Sequence, residues 1–489
     1  MFSYGSDIVK IRGGHTPKIS GRPLSTVEKL PLPGKLQLSL HRGGVDYAPI
    51  VKDGQEVELG DSVAEASVTG GSLSLPSPAA GRVSLDGEEE GASRLILETT
   101  GSDTTTGKYE TFEPQRITGE AMRDALARGG IWPFFWSSRT GGMPTLDDAE
   151  QPRAIVVNCV LTEPFRARGK VILRHAWSRI VQGLRFLPRL LAEYGTIELV
   201  LTARRDAVAG MMYVGLAGYA WIRFHPVALR YPVENPQVLS RALRRSDASF
   251  EKEDVIWVID VQGVEALGAC LTEGLPLYER MVAVGGPGHP DPRHLCVRIG
   301  TSVSDLVHQD GASNLSACNA CLRADTHRQA QAGGVRILRG GLLNGDPVDP
   351  ATDSVQYDDD AFFFLPEVSE REFLSFLRPG FDRTSTLPCF ASRITGAYDQ
   401  RVSTSLRGER RPCIACGLCE RLCPAGLLPQ VLHRYLYHEA LDEAEAAGLD
   451  LCVDCGLCTY VCPSKIELQK QFAQAREQLR LEREEQVSR

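Results

Sequence analysis

The rhythm of apolar and polar positions changes several times along the chain. From about residue 36 to 100, short alternating runs such as "KLQLSL", "DSVAEASV", "GRVSL" and "RLILET" are separated by turn formers, which predicts half-buried strands. From about 118 to 290, longer apolar runs alternate with helical periodicity. "AIVVNCVL" (154–161), "TIELVLTA" and "DVIWVID" read as buried strands, residues 174–194 as helix, and "RMVAVGG" as the strand that closes the series. Apolar strands interleaved with helices predict a mostly parallel, doubly wound Rossmann-like sheet. A third section, about 291–350, runs from "HLCVRIGTSVSDLV" to "VRILRGGLLNGDPV" and predicts a small α+β unit.

The flanks are less regular. Residues 1–35 are rich in Gly, Pro and Ser and predict an extended lead-in, pinned by "GGHTP" at 13–17. Within the first β section, "VKDGQEVELGDSV" followed by "PSPAAGRV" resembles a lipoyl-type barrel-sandwich pattern, with Gly54, Gly60 and Gly81 at turns. The span where a carrier lysine would stand, "AEASVTGGSLSL", has none, so the unit reads as scaffold. The acidic run 358–360 in "YDDDAFFFLPE" reads as a solvated turn, and Ser369-x-x-Glu372 as a capping box. A second capping box, Ser464-x-x-Glu467, precedes a charged terminal helix.

Composition narrows the function. With 43% apolar and 24% charged residues, a net charge of −8 and a pI near 5.8, nothing favours nucleic acid or an anionic surface. No signal peptide opens the chain, and its best apolar stretch, "AGMMYVGLAGYAWIRF" from Ala209, is too short and mixed to span a membrane and reads as a buried helix. Fourteen cysteines without a secretory signal read as reduced thiols available to metal, in a cytoplasmic protein.

Eight of those cysteines carry the strongest signal. "CIACGLCERLCP" (413–424) and "CVDCGLCTYVCP" (452–463) repeat one phrase, C-x₂-C-x₂-C-x₃-C-P, 39 residues apart. That spacing holds [4Fe–4S] centres in bacterial two-cluster ferredoxins, with the fourth cysteine of each run serving the other cluster. Cys413, Cys416, Cys419 and Cys462 are therefore expected to hold one cluster, and Cys452, Cys455, Cys458 and Cys423 the other. Gly417 and Gly456 let the backbone pass close to inorganic sulfide, and Pro424 and Pro463 redirect the chain. A helix is expected at 429–447, ended by Gly448. Zinc, the bland alternative, prefers separated C-x₂-C pairs and fits this spacing poorly.

The remaining cysteines say less. Cys159, Cys270, Cys296 and Cys389 read as small core residues, and Cys318-x₂-Cys321 lacks the partners a metal site needs. No P-loop, nucleophile elbow or H-x-x-x-H pair occurs. "VAVGGPGHP", with Gly285, Gly286 and Gly288, lacks the third glycine and the helix of a dinucleotide fingerprint.

Taken in order, "IRGGHTPKISGRP", "DALARGGIWPFF", "MVAVGGPGHPDPRH", "VRIGTSVSDL", "RGGLLNGDPV" and "SEREFLSFLRPG" resemble the A subunit of the sodium-translocating NADH:quinone reductase over roughly residues 8–385. The chain is also similar in domain order, and in its cysteine phrases, to the C subunit of the Rnf ferredoxin:NAD oxidoreductase. The first family as usually seen lacks those cysteines; the second is expected to hold flavin on a "GGAxFPT-x-K" loop. Here that loop reads "RTGGMPTLDD": Gly141, Gly142, Pro144 and Thr145 survive, while the aromatic and lysine do not. FMN is accordingly not expected to bind tightly, and NADH binding is left open.

The resemblance identifies 291–350 as a soluble-ligand-binding β-grasp unit. The expected divisions are a lead-in and barrel-sandwich unit (1–105), the Rossmann-like unit (106–290), the β-grasp unit (291–350), a connecting segment (351–400), the helical dicluster unit (401–470) and a terminal helix (471–489). The resemblance further implies a role in electron transfer at the inner face of a membrane, with membrane-embedded and flavin-bearing subunits as partners. Ferredoxin or quinone would be its exchange partner. A self-contained flavin-dependent NADH dehydrogenase is the competing reading.

Overall fold

In a computed structural model of the chain, the structure describes residues 8–17, 19–86, 94–101, 107–203, 206–307, 332–368 and 410–488. Cys318, Cys321, Cys389 and the Ser369–Glu372 pair lie outside the described residues.

The alternating section at the N-terminal side forms two small antiparallel sheets. One orders Lys35–Ser39, Arg94–Thr99, Gly81–Asp86 and Glu56–Val57; the other orders Ala48–Pro49, Ser62–Val68 and Gly71–Pro76. Their apolar faces meet through Leu36, Leu38, Val63, Leu73, Leu75, Val83, Leu95 and Leu97, all at or below 1% exposure. The hairpin tip at Gly70 has φ +91° and is not free: Leu146 N donates to Thr69 O at 3.1 Å, tying the tip to the next layer.

Strand–helix alternation produces a five-stranded sheet ordered Trp136–Ser137, Ile256–Asp260, Ala154–Asn158, Thr196–Thr202 and Ile222–Val227. The last four are parallel, and Trp136–Ser137 closes one edge antiparallel. The helices Trp177–Phe186 and Val261–Glu273 cross where Gly183 and Gly268 bring backbone against backbone. The stretch beginning at Ala209 lies in a helix, Ala207–Leu216, that buries Val208, Ala209, Met212 and Leu216 but leaves Val214 70% exposed, so it is half-buried where a fully buried helix was expected.

Two expectations are corrected by the third layer. The strand Glu279–Gly285 does not close the parallel series. It sits in a six-stranded sheet ordered Val27–Lys29, Arg293–Arg298, Glu279–Gly285, Ala361–Val368, Ala332–Arg339 and Asp346–Val348. The seven residues 286–292 can turn a strand back onto itself but cannot carry the crossover a parallel neighbour needs, so it pairs antiparallel with Arg293–Arg298. Gly286 (φ +110°) and Gly288 serve this packing: any side chain at 286 would collide with the Phe364 backbone.

The acidic run 358–360 is also not solvated. Asp359 and Asp360 are 8% and 3% exposed, and arginines from three distant segments meet the run. Arg42 donates to Asp358 at 2.8 Å, Arg166 to Asp360 at 2.7 Å, and Arg339 stands 3.6 Å from Asp359. No local window of sequence contains those partners. Removing Asp360 strands Arg166, whose side chain is 29% exposed. Asp360→Ala should therefore cost about 3 kcal/mol, the low end for breaking a buried pair, read as a lowered urea midpoint.

Candidate iron–sulfur site

The two cysteine phrases adopt one backbone course twice. Each begins with a loop whose third residue is left-handed (Ala415, φ +52°; Asp454, φ +48°) and whose fifth is a left-handed glycine (Gly417, φ +70°; Gly456, φ +69°). Short helices follow, Leu418–Leu422 and Leu457–Val461. The fourth cysteines, Cys423 and Cys462, then leave in extended backbone, and three residues on, Gly426 and Lys465 turn left-handed again. The next helix starts six residues after the fourth cysteine in each copy, at Pro429 and at Leu468. Alternating left-handed residues curl the loop so that the backbone wraps a concave cup.

Cys413, Cys416, Cys419 and Cys462 line one small cavity, together with Ile414, Leu418, Gln430, Ile466 and Leu468. Gln430 Oε1 in its wall is buried and has no hydrogen-bond partner. Cys423 leaves this group. It stands close enough to act electrostatically on Cys452, Cys455 and Cys458, whereas Cys419 feels Cys416 and Cys413. Leu427 N donates to Cys423 Sγ at 3.3 Å. The eight predicted residues are thus brought together in two groups of four, each with one member from the opposite phrase.

Burial dominates the thiol chemistry. It pushes Cys452 up to about 11 and Cys455 up to about 12, and raises Cys458 and Cys419 as well. Metal-free cups hold thiols, and loading them must expel protons. Among the described residues, no three His, Cys, Asp or Glu side chains are grouped as the ligands of a single metal ion. Tetrahedral zinc would need its four sulfurs drawn to about 2.3 Å from one point. A four-iron cluster spreads the same sulfurs around a larger body, and all-thiolate cups with apolar walls suit it.

The two cups differ in their surroundings. The first loop is open: Cys413 and Cys416 are exposed, and Ile414 is 64% exposed. The second is packed against the rest of the chain. Tyr231, 1% exposed, donates its hydroxyl to Cys455 O at 2.8 Å, and Arg476 donates to Cys452 O at 3.1 Å while pairing with Asp454. A side chain at Gly456 would overlap the Leu343 carbonyl. Gly14 N donates to Leu422 O at 2.9 Å, His15 N to Tyr231 O at 2.9 Å, and the His15 ring stacks on Tyr460 at 5.9 Å. The "GGHTP" lead-in is therefore a clasp between the parallel sheet and the cysteine unit. Tyr231, Leu343 and Arg476 carried no signal in the sequence; the Gly13-Gly14 pair did.

Local expectations here need two corrections. The helix expected over 429–447 is split into Pro429–Tyr437 and Leu441–Ala446, with Glu439 left-handed (φ +56°) between them. In one continuous helix Leu432 and Ala444 would stand about 120° apart, yet both must reach the core of Leu449, Val461 and Phe472. Ser464 does not cap the terminal helix. Its hydroxyl donates to Pro412 O at 2.9 Å, and its carbonyl accepts from Arg411 N at 3.0 Å, so it joins the end of the second phrase to the start of the first. Glu467 meanwhile pairs with Arg410 at 2.6 Å.

Elsewhere, Cys159, Cys270 and Cys296 are buried as expected of core residues. The "RTGGMPT" stretch forms an exposed turn in which Ser137 N donates to Gly142 O at 2.7 Å, with open space beside Gly141 and Gly142.

Comparison with known proteins agrees with this division. The family model "NqrA second alpha/beta domain" matches residues 117–275, ending before the strand that joins the six-stranded sheet. The family model "4Fe-4S dicluster domain" matches residues 412–467. The A subunit of the Na(+)-translocating NADH-quinone reductase of Rhodopirellula baltica is 27% identical over 452 residues, covering 90% of this chain and 91% of that protein. The protein of the same name from Pseudomonas aeruginosa is 26% identical over 90% of this chain and 92% of its own length. Nine-tenths of the chain is longer than the stretch from 8 to 385, so the likeness continues toward the cysteine phrases. A solved chain of an NAD+-reducing [NiFe]-hydrogenase aligns over 75% of this chain and 68% of its own at 11% identity, with a TM-score of only 0.38. The NqrA second α/β domain and a 4Fe-4S dicluster domain thus stand in one chain, similar over nine-tenths of its length to the A subunits of the Na(+)-translocating NADH-quinone reductases.

Proposed function

We propose that the chain is an electron-transfer subunit of a membrane-bound redox complex, carrying two [4Fe–4S] clusters on its crossed cysteine sets. The observation that carries this reading is the grouping of Cys462 with Cys413, Cys416 and Cys419, matched by the approach of Cys423 to Cys452, Cys455 and Cys458. Such clusters, when bound, take up and release one electron at a time. The protein's part is to hold them adjacent, to exclude water from the inner cup and to leave the outer cup accessible.

Accessibility gives the path a direction. The cup of Cys413 and Cys416 is the one an external partner can approach, with exposed Ile414 at its rim. Among the described residues no helix is long and apolar enough to cross a membrane. Attachment at the inner face of a membrane, through membrane-embedded and flavin-bearing subunits, follows from the relatives' name and completes the proposal. Electrons would run between NADH or ferredoxin and a flavin or quinone.

Anaerobically purified protein should contain about eight irons, from two four-iron clusters, and show low-potential paramagnetic signals on reduction. Stoichiometric zinc with little iron would defeat the reading and leave a zinc-stabilised scaffold. Release of FMN together with NADH oxidation by the isolated chain would favour the flavoenzyme. Ile414→Asp should leave iron content unchanged but slow electron exchange with the partner complex about tenfold, a contact loss of about 1.4 kcal/mol, measured by stopped-flow reduction.

A further inference from the structure

Behind the inner cup lies a buried group of acids at the carboxyl ends of the parallel strands. Glu163 and Glu234 are 4% and 8% exposed, and the Glu163 carboxyl is wholly enclosed. Around them stand Asp260, Asp360, Arg166 and Arg280. Four carboxyls thus face two guanidiniums, and the guanidiniums are already engaged. Arg166 gives its good hydrogen bonds to Asp360, at 2.7 and 3.0 Å, and stands 3.9 Å from Glu163. Arg280 donates to Asp359 O at 3.2 Å.

Glu163 is the least satisfied member. Its Oε1 accepts from Leu343 N at 3.3 Å, and its Oε2 has no partner. Glu234 accepts from the Thr162 hydroxyl and from Glu163 N at 2.6 Å. A buried carboxylate so poorly bonded is costly as an anion. Burial, opposed by Arg166 and reinforced by Glu234, pushes Glu163 up to about 7; burial likewise raises Glu234.

Two links tie this group to the inner cup. Leu343, which bonds Glu163 through its N–H, lies with its carbonyl against Gly456. Tyr231, whose hydroxyl bonds Cys455 O, lies within electrostatic reach of Glu163 and Glu234.

We propose that Glu163 and Glu234 form a redox-linked proton site for the cluster expected on Cys452, Cys455, Cys458 and Cys423. This rests on the dicluster reading above. When one electron enters that cluster from a one-electron donor, the added negative charge stabilises the protonated carboxyl, and one proton enters the pair from solvent. When the electron leaves, the proton returns. The side chain of Arg166, 29% exposed, forms the watery edge of the group. Proton uptake on reduction makes the midpoint potential fall as pH rises, by at most about 59 mV for each tenfold change in proton activity.

The test is potentiometric titration of the full chain, followed by electron paramagnetic resonance, at several pH values either side of about 7. One of the two clusters should show the falling potential and the other should not. Glu163→Gln should abolish most of that slope while both signals persist. Should that variant fail to fold, the wild-type protein still decides: its reduced-minus-oxidised infrared spectrum should contain a protonated-carboxyl band that shifts in deuterium oxide. Potentials independent of pH, an unchanged slope in both Glu163→Gln and Glu234→Gln, or an infrared spectrum without that band would each overturn the proton site and leave the electron-transfer reading standing. A chain without iron would overturn both.

Discussion

Cys423→Ala is expected to damage the cluster of Cys452, Cys455 and Cys458, and to leave the cluster of its own phrase in place. Cys462→Ala should do the reverse. The reason is reach. Three thiols on one left-handed loop already ring a cup, while the fourth lies beyond a short helix and departs in extended backbone (ψ 116° at Cys423, 112° at Cys462). Cys462 accordingly lines the cavity of the first loop. Removing one of four thiolates should drop iron content from about eight to between four and seven per chain, through loss of one cluster or its conversion to a three-iron form. Iron analysis with paramagnetic resonance of the surviving signal decides the assignment. Loss confined to the mutated phrase's own cluster would refute the crossing.

The second large effect separates two glycines that the repeat makes equivalent. Gly417 and Gly456 share a left-handed backbone, so alanine at either should cost about 1 to 2 kcal/mol in strain. Their neighbourhoods differ. Nothing stands within 4 Å of a Cβ at 417, whereas one at 456 would overlap the Leu343 carbonyl, a backbone atom that cannot swing aside. Gly417→Ala should therefore be tolerated with a small fall in thermal midpoint. Gly456→Ala should push the inner loop off the segment 340–345, adding about 2 kcal/mol or more for a close-packed overlap, and should lose iron from the inner cup during purification. Equal retention of iron by the two variants would show that the inner loop is not held there.

This contrast also marks how much was legible beforehand. The repeated phrase, the crossed spacing, the left-handed glycines, the core cysteines and the strand–helix alternation are properties of short windows. Local backbone preference and apolar periodicity decide them, so the sequence by itself determined two matching cups and a parallel α/β sheet. What it could not determine depends on residues far apart in the chain. Asp359 and Asp360 looked solvated because Arg166 and Arg339 arrive from elsewhere. Glu279–Gly285 looked like one more parallel strand until Arg293–Arg298 offered a nearer antiparallel partner. Ser464 looked like a cap until the fold brought Pro412 to it. Above all, two nearly identical phrases became an open cup and an enclosed one. Gly14, Tyr231 and Leu343 close over the inner unit from more than 100 residues away. Burial is a property of what the tertiary fold packs against a loop, and the loop's own residues do not encode it.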